Sequence, residues 1–332
     1  MEEECNKYLY VTMARSFAAR IVATLILLHI FAFGTSVALA GRSPVIVVIY
    51  PELEEPYRSV LSSIIEGIKE QAKAAVKLNP ISGSVDVSQI SESIDAEQAS
   101  AIIALGKTGL TAAEQWRGKL PIIVGALLLS PDKNERGIAG ISLAADPQLL
   151  LARLARLAPS VKRVHVVYSP DRSEWLVESA RKSANKFGLQ LFAYKSNDIK
   201  GSALIYRDIL NKTRPEEDAI WLLPDPITVD SKIILPLLLR ETWNNSVMLI
   251  SSNPTYVKRG ALFALFPDNR LMGRSLEKMA ETYLGDDVAD MNNTVLPLKD
   301  LQAAINVRTA EHLGLALSAE ERKNYALVFP VP

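Results

Sequence analysis

The residues that could do chemistry in this sequence stand directly after short apolar runs. Tyr50-Pro51, Gly106-Lys107-Thr108, Gly125-Ala126, Tyr168-Ser169-Pro170, Pro224-Asp225-Pro226, Ser251-Ser252-Asn253 and Phe266-Pro267-Asp268 all occupy such positions. Ligands of open α/β sheets bind at the carboxyl ends of the strands, so these segments are the candidate site. Hydroxyls, backbone amides, two tyrosines and a few charges suit the noncovalent holding of a small molecule. Each segment taken alone also reads as an ordinary turn, because Pro, Gly, Ser and Asp make turns. Only their recurrence at strand ends raises them above that.

One stretch imitates a nucleotide site. Ala101 to Thr108 fits the relaxed pattern [AG]-x-x-x-x-G-K-[ST]. A phosphate loop needs its variable residues in an irregular wrap with inward-pointing amides. Here they are Ile102-Ile103-Ala104-Leu105, which read as a buried strand. The smaller expectation is that Gly106 to Gly109 form a strand-to-helix turn whose amides could face a carboxylate or another anion.

Reaction chemistry finds little support. The chain has three histidines, His29, His165 and His312. His165 stands between Val164 and Val166 in a strand, where a structural role is the default. No His-x-x-x-His pair or cysteine set offers metal ligands. No G-x-S-x-G presents a serine nucleophile. The acid pairs Glu54-Glu55, Glu216-Glu217 and Asp286-Asp287 read as solvated turns. No enzyme activity, metal or cofactor is expected.

The elements that must position the candidate residues alternate. Val45 to Tyr50 is an unbroken apolar run, as in a strand buried on both faces of a parallel sheet. From Tyr57 to Ala75, Val60, Ile64 and Ile68 recur every four residues, the signature of a one-striped helix. Strands follow at 101–105 and 122–126, with part of a short helix at 111–116 and a leucine-crowded helix at 149–157. A second series places strands at 164–168, 189–194, 219–223, 247–251 and 261–265. Its helices fall at 173–187 (stopped by Gly188), 203–210, 231–243 and 271–284. The alternation predicts an α/β class with parallel sheets covered by helices. The number of strands and a break around 137–147 predict two doubly wound lobes, joined near residues 143–148.

Composition fits this outline. The chain has 332 residues, 48% of them apolar, and 37 Lys+Arg balance 37 Asp+Glu. Such a length supplies ample core for one large or two medium domains. Zero net charge gives no electrostatic footprint for nucleic acid. The first forty residues read as an export signal. Arg15 and Arg20 precede the apolar run Ile21 to Phe33, and Ala38-Leu39-Ala40 fits the small-x-small rule for cleavage before Gly41. An uncleaved anchor is the alternative, and Glu2, Glu3 and Glu4 point to Met13 as another start. The one cysteine, Cys5, precedes the cut, so the mature chain would carry none. That composition is compatible with an oxidising compartment.

Four segments carry a family resemblance. Ala304-Ile305-Asn306-Val307-Arg308-Thr309-Ala310-Glu311-His312-Leu313-Gly314-Leu315 resembles a closing N-x-K-T-A-x-x-L-G-L segment. Val257 to Leu262 resembles a V-x-x-G-A-L element, and Leu271 to Ala280 an L-G-R-x-x-G-x-M-A helix. Val161-Lys162-Arg163-Val164, running into Tyr168-Ser169-Pro170, resembles a K-R-I-G-V-L-Y-N-P strand and turn. These are features of the periplasmic substrate-binding proteins of ABC-type transport, in the family with tryptophan- and tyrosine-binding members. The likeness covers nearly all of residues 44–327.

The resemblance implies a type I periplasmic-binding fold, with two lobes, three crossovers and hinge closure on a small ligand. It places one lobe at 41–145 plus 268–300 and the other at 146–267 plus 301–332. It implies an amino-acid-like ligand, its carboxylate held by amides and hydroxyls and its ammonium by an acid such as Asp225 or Asp268. The expected contacts are Tyr50, Gly106, Lys107, Thr108, Gly125, Tyr168, Ser169, Asp225, Ser251, Ser252, Asn253 and Asp268. The partner would be an ABC permease in the inner membrane, with the receptor a periplasmic monomer. A ligand sensor acting through a membrane signalling partner is the alternative.

Departures fall at the site. Tyr50-Pro51-Glu52-Leu53-Glu54 replaces a histidine-containing loop, and Gly106-Lys107-Thr108-Gly109 replaces a G-T-P-A turn. Ser169 stands where the family has asparagine. A cleft-facing Lys107 would favour an anionic ligand, whereas a solvent-facing one would carry no meaning.

Overall fold

Val45–Pro51 (β1) begins the fold, its central residues fully buried. This computed structural model describes residues 43–83, 87–131, 138–284 and 294–330. The export segment with Cys5 and His29, and the pair Asp286-Asp287, lie outside the described residues. Tyr57–Gln71 (α1) follows, burying Leu61, Ile64, Ile65 and Ile68 along one stripe. Next come Ala75–Ile81 (β2), Val87–Glu97 (α2), Ala101–Leu105 (β3), Gly106–Ala113 (α3), Ile122–Leu127 (β4) and Ile138–Ala145 (β5). Among the described residues these strands form a six-stranded sheet with Val295–Leu298 (β11), in the order β11-β5-β4-β3-β1-β2. Every pairing in it is parallel. Ile102 and Ile103 are fully buried. Burial of that kind stabilises by about 1.5–3 kcal/mol per large aliphatic side chain.

Pro147–Leu157 (α4) leads into the second series. It holds Arg163–Tyr168 (β6), Pro170–Ala184 (α5), Gln190–Lys195 (β7), Ile199–Leu210 (α6) and Asp218–Leu222 (β8). Ile234–Asn244 (α7), Met248–Ser251 (β9), Pro254–Arg259 (α8) and Phe263–Pro267 (β10) continue it. Leu301–Asn306 (β12) and Leu327–Phe329 (β13) complete a seven-stranded sheet among the described residues, ordered β13-β12-β10-β9-β8-β6-β7. Only β12 against β10 runs antiparallel there. Separate apolar cores line the two faces of each sheet. The fold is therefore the expected α/β pair of doubly wound lobes.

Asn269–Thr282 (α9) follows β10 in sequence yet packs on the first sheet, against α1. The chain thus crosses between lobes after Ala145, after Pro267 and between Leu298 and Leu301. Backbone hydrogen bonds tie the three crossings together. Asp146 N donates to Leu298 O at 2.8 Å, and Asp268 N donates to Asp300 O at 2.9 Å.

Several elements differ from the sequence reading. The strand β2 is exposed along most of its length and contains Pro80, a combination tolerated at a sheet edge. The region 137–147, read as a break, contributes β5, whose small residues Ala139, Gly140, Ser142 and Ala144 hide its strand character. Gly106 to Gly109 do not form a turn before a helix; they are its first turn. Gly106, at φ +69°, turns the corner alone. A side chain at Gly109 would lie 2.6 Å from Ile49 O, so glycine there lets α3 press onto β1.

His165 is structural in its contacts. Its ring stacks on Phe192 at 5.2 Å, and Nδ1 lies 3.2 Å from the Tyr194 hydroxyl. Burial pulls its pKa below the usual imidazole value, and nearby Asp218 only partly offsets this. The Asp218 carboxylate receives Arg163 through two bonds of 2.5 and 2.6 Å. His312, at the end of Val307–His312 (α10), stacks on Trp243 at 3.8 Å.

Candidate ligand-binding site

A cavity of about 730 Å³ opens between the carboxyl ends of the two sheets. One wall comes from the first lobe: Leu110 and Glu114 at α3 and the 3-10 turn after it, Leu128 to Ser130 after β4, and Ala144 in β5. The other wall is the first turns of α5, with Ser169, Asp171, Arg172, Ser173, Trp175 and Leu176, and Pro224 and Ile227 from the loop after β8. Its volume falls in the range of small-molecule sites.

The floor on the second lobe includes Ser169, which Asp225 holds in place. Ser169 occupies the N-cap position of α5, and Pro170 takes the first helical position, where a missing N–H costs nothing. The Ser169 carbonyl accepts the amides of Arg172 and Ser173, which closes the first turn. Its own amide donates to Asp225 Oδ2 at 3.2 Å, while Asp225 Oδ1 accepts Ile227 N at 3.0 Å. Asp225 is 2% exposed. It therefore stitches the loop after β6 to the loop after β8, and both its oxygens are engaged.

The other predicted residues are placed as follows. Of the twelve, Ser169 is the one that lines the cavity. Tyr168 is buried in the core beside it, its hydroxyl donating to Glu174 Oε1 at 3.0 Å. Burial raises its pKa, and the hydrogen bond to Glu174 adds to this. Gly125 is turned toward α9: a Cβ there would meet Leu276 Cδ1 at 2.4 Å. Ser251 Oγ donates to Leu222 O and accepts from Asn253 N, and Asn253 caps α8 through Thr255 N. Ser252 is half-buried beside them. Asp268 belongs to the crossover, with one oxygen capping α9 at Leu271 N and the other accepting Gln302 Nε2 at 2.9 Å. Tyr50 is half-buried at the end of β1, and burial followed by the charge of Glu52 raises its pKa. Lys107 is exposed and Thr108 half-buried on α3.

The cavity also holds residues that the sequence reading passed over. Arg172 and Trp175 stand on the first turns of α5, three positions apart and so on one helix face. Arg117 lines the opposite wall with Glu114, their side chains paired at 2.6 Å. The signal was present: Asp171-Arg172-Ser173-Glu174-Trp175 directly follows a strand end. A helix packed on a sheet exposes its first turn at that same end, so the candidate segment extends past Pro170.

Two mostly parallel sheets, three crossovers and a polar-and-apolar cavity at the facing strand ends define a type I periplasmic-binding fold with room for a small solute. The chain belongs to the ABC transporter substrate binding protein family, whose model matches residues 48–325. Solved structures of similar fold include the ABC domain from Streptococcus pneumoniae in complex with L-Trp. That protein is 20% identical, with 86% of this chain and 100% of that chain covered and a TM-score of 0.51. A ligand-free, open substrate binding protein with adhesive properties from Clostridium difficile is 17% identical, covering 86% and 99% of the two chains with a TM-score of 0.59. A conserved domain protein from Vibrio cholerae is 18% identical over 86% and 99%, with a TM-score of 0.51. No curated protein matches the sequence. Membership makes the chain a substrate-binding component of ABC transport, with a small-molecule ligand and a permease partner. Among the described residues no helix is long and apolar enough to cross a membrane, and no group of acidic, histidine or cysteine side chains could hold a metal.

Proposed function

We propose that this protein is an exported, monomeric solute receptor that closes its two lobes on a ligand of amino-acid size and delivers it to an inner-membrane permease. The observation that carries the reading is the cavity of about 730 Å³ between the facing strand ends, walled by both lobes. A ligand that touches both walls binds the closed form more tightly than the open one, and that difference shifts the lobes together. The lobes are residues 41–145 with 268–300 and residues 146–267 with 301–332, in keeping with the sheet to which each strand belongs. Export rests on the charged-apolar-small pattern of the first forty residues. A ligand of that size, with a carboxylate and an apolar body, draws support from the tryptophan named in the Streptococcus pneumoniae complex. Tyr168 and Asp225 serve the site by holding its floor, and Ser169 by facing the ligand.

Mass spectrometry of small molecules retained by the purified protein, followed by a thermal-shift screen, tests the proposal. A ligand at a hundredfold excess over its Kd adds about 2.7 kcal/mol of apparent stability, a clear rise in melting temperature. Silence across amino acids, peptides, sugars and organic anions would remove the receptor reading.

A further inference from the structure

The charged groups of the cleft do not cancel in the way an amino acid requires. Among the described residues, four charged ones line the cavity: Glu114, Arg117, Asp171 and Arg172. Glu114 and Arg117 pair with each other at 2.6 Å, and Asp171 is engaged by neighbouring groups. The acids nearest the floor and the crossover, Asp225 and Asp268, spend both oxygens on donors of the protein itself. Arg172 is different. Other described arginines have an acid, a carbonyl or an aromatic ring beside the guanidinium, as in Arg163 with Asp218, Arg259 with Ser231 O and Arg308 with Trp243. Arg156 and Arg172 alone among the described arginines have none, and Arg156 lies away from the cavity. Among the described residues, the cleft therefore presents one uncompensated charge, and it is positive.

Beside that charge the lining is apolar: Leu110, Leu128, Leu129, Trp175 and Leu176. Leu128 is 54% exposed, so this apolar lining is open to a ligand.

Resting on the receptor reading, we infer that the ligand is an amphipathic organic carboxylate without a free ammonium group, anchored by Arg172 and packed on Trp175. A guanidinium offers a planar fork that matches a carboxylate with two parallel hydrogen bonds. One arginine neutralises one carboxylate. An α-amino acid would bring an ammonium into a closing cleft whose acids already have partners, and an unpaired charge is expensive to desolvate. A dianion such as a phosphate monoester would leave its second charge equally uncompensated. The apolar wall gives the body of the ligand an aromatic or branched character.

The test uses matched pairs on the purified full chain by calorimetry, with tryptophan fluorescence as a second readout. The pairs are 3-phenylpropionate with phenylalanine, indole-3-propionate with tryptophan, and 4-methylpentanoate with leucine. At least one acid is expected to bind tenfold or more tightly than its amino-acid partner. Arg172→Gln should weaken that acid at least tenfold, while an unchanged melting temperature shows that the exposed substitution leaves the fold intact. Arg172→Lys should fall between them. Tighter binding by the amino acids, or acid binding untouched by Arg172→Gln, would overturn the inference and leave the receptor reading standing. Binding of neutral solutes alone would have the same meaning. No binding by these pairs or by the wider screen would bring down both.

Discussion

Both oxygens of the Asp225 carboxylate accept backbone amides, one from Ser169 and one from Ile227, in a setting almost closed to water. Removing the acceptor leaves the buried Ser169 N–H and the half-buried Ile227 N–H without partners, at roughly 1–3 kcal/mol for a fully buried loss and less for the other. Asp225→Ala should therefore lower the urea midpoint and speed hydrogen exchange at the Ser169 amide. Asp225→Asn, which keeps one acceptor oxygen, should lie between it and wild type. Equal exchange at Ser169 in all three proteins would contradict this positioning role. Glu277 on α9 poses the opposite case. It is fully buried, and burial followed by the charge of Glu281 pushes its pKa up to about 7. The acid thus stays protonated in the fold until the pH nears 7, whereas it ionises near 4.5 when unfolded. The stability it lends is complete below pH 4.5 and drains away as pH rises toward 7, by an amount on the order of 1–3 kcal/mol. Glu277→Gln should flatten that slope in denaturation curves taken from pH 4 to 8; an unchanged slope would refute it. Neither role could be read from sequence. Asp225 between two prolines looks like any turn, and nothing in Leu276-Glu277-Lys278 announces a buried acid.

Helices α1 and α9 meet backbone to backbone. A Cβ on Gly67 would stand 1.9 Å from Arg270 O, and one on Gly273 would stand 2.0 Å from Ile64 O. Around this contact Glu70 receives both Arg270 and Arg274, which holds its carboxyl down at about 2. The arginine pairs are exposed and contribute little by themselves; the close approach depends on the glycines. Gly273→Ala forces the two backbones apart, and a cost of about 3 kcal/mol is expected, the upper end for overpacking. Gly67→Ala should cost about as much, and the double variant little more, because the first methyl already opens the gap. Additive losses in urea denaturation would contradict a shared contact. At this scale the sequence was readable where burial is two-sided or striped. β1, β3 and α1 announce themselves because nearly every residue, or every fourth, is apolar, and β6 through its Val-His-Val-Val-Tyr run. It was unreadable at β2, whose face is wet, and at β5, whose side chains are small. The site followed the same rule. Strand ends were legible, but the side chains that face the cavity lie on the first turns of α5, one step further along.

At the scale of the molecule, the joint between the lobes is made of three short crossings joined by main-chain hydrogen bonds from Asp146 to Leu298 and from Asp268 to Asp300. Gln302 adds a side-chain bond to Asp268 at 2.9 Å. Bonds of this kind survive a rotation of one lobe against the other, because each ties crossing to crossing instead of spanning the cleft. At the cleft Leu128 is exposed on one lobe, and Leu53 and Tyr57 on that lobe and Ile199 and Ile233 on the other are exposed apolar side chains outside the cavity lining. Leu128 directly follows the end of β4, where closure would bring it under cover. A ligand that shifts open to closed from 1:99 to 99:1 must favour the closed form by about 5.5 kcal/mol, and covering apolar rim supplies part of that at about 25 cal/mol per Å². The chain is well suited to a direct measurement, since Cys5 is its single cysteine. In a Cys5→Ser background, dyes at Lys107→Cys and Ile199→Cys report one rim from each lobe. Saturating a binding carboxylate should raise energy transfer between them, and Leu128→Ser should weaken ligand affinity several-fold with little change in the open-state signal. Ligand binding at full affinity with no change in transfer would mean that the rims do not approach, and the receptor would have to signal occupancy without closing.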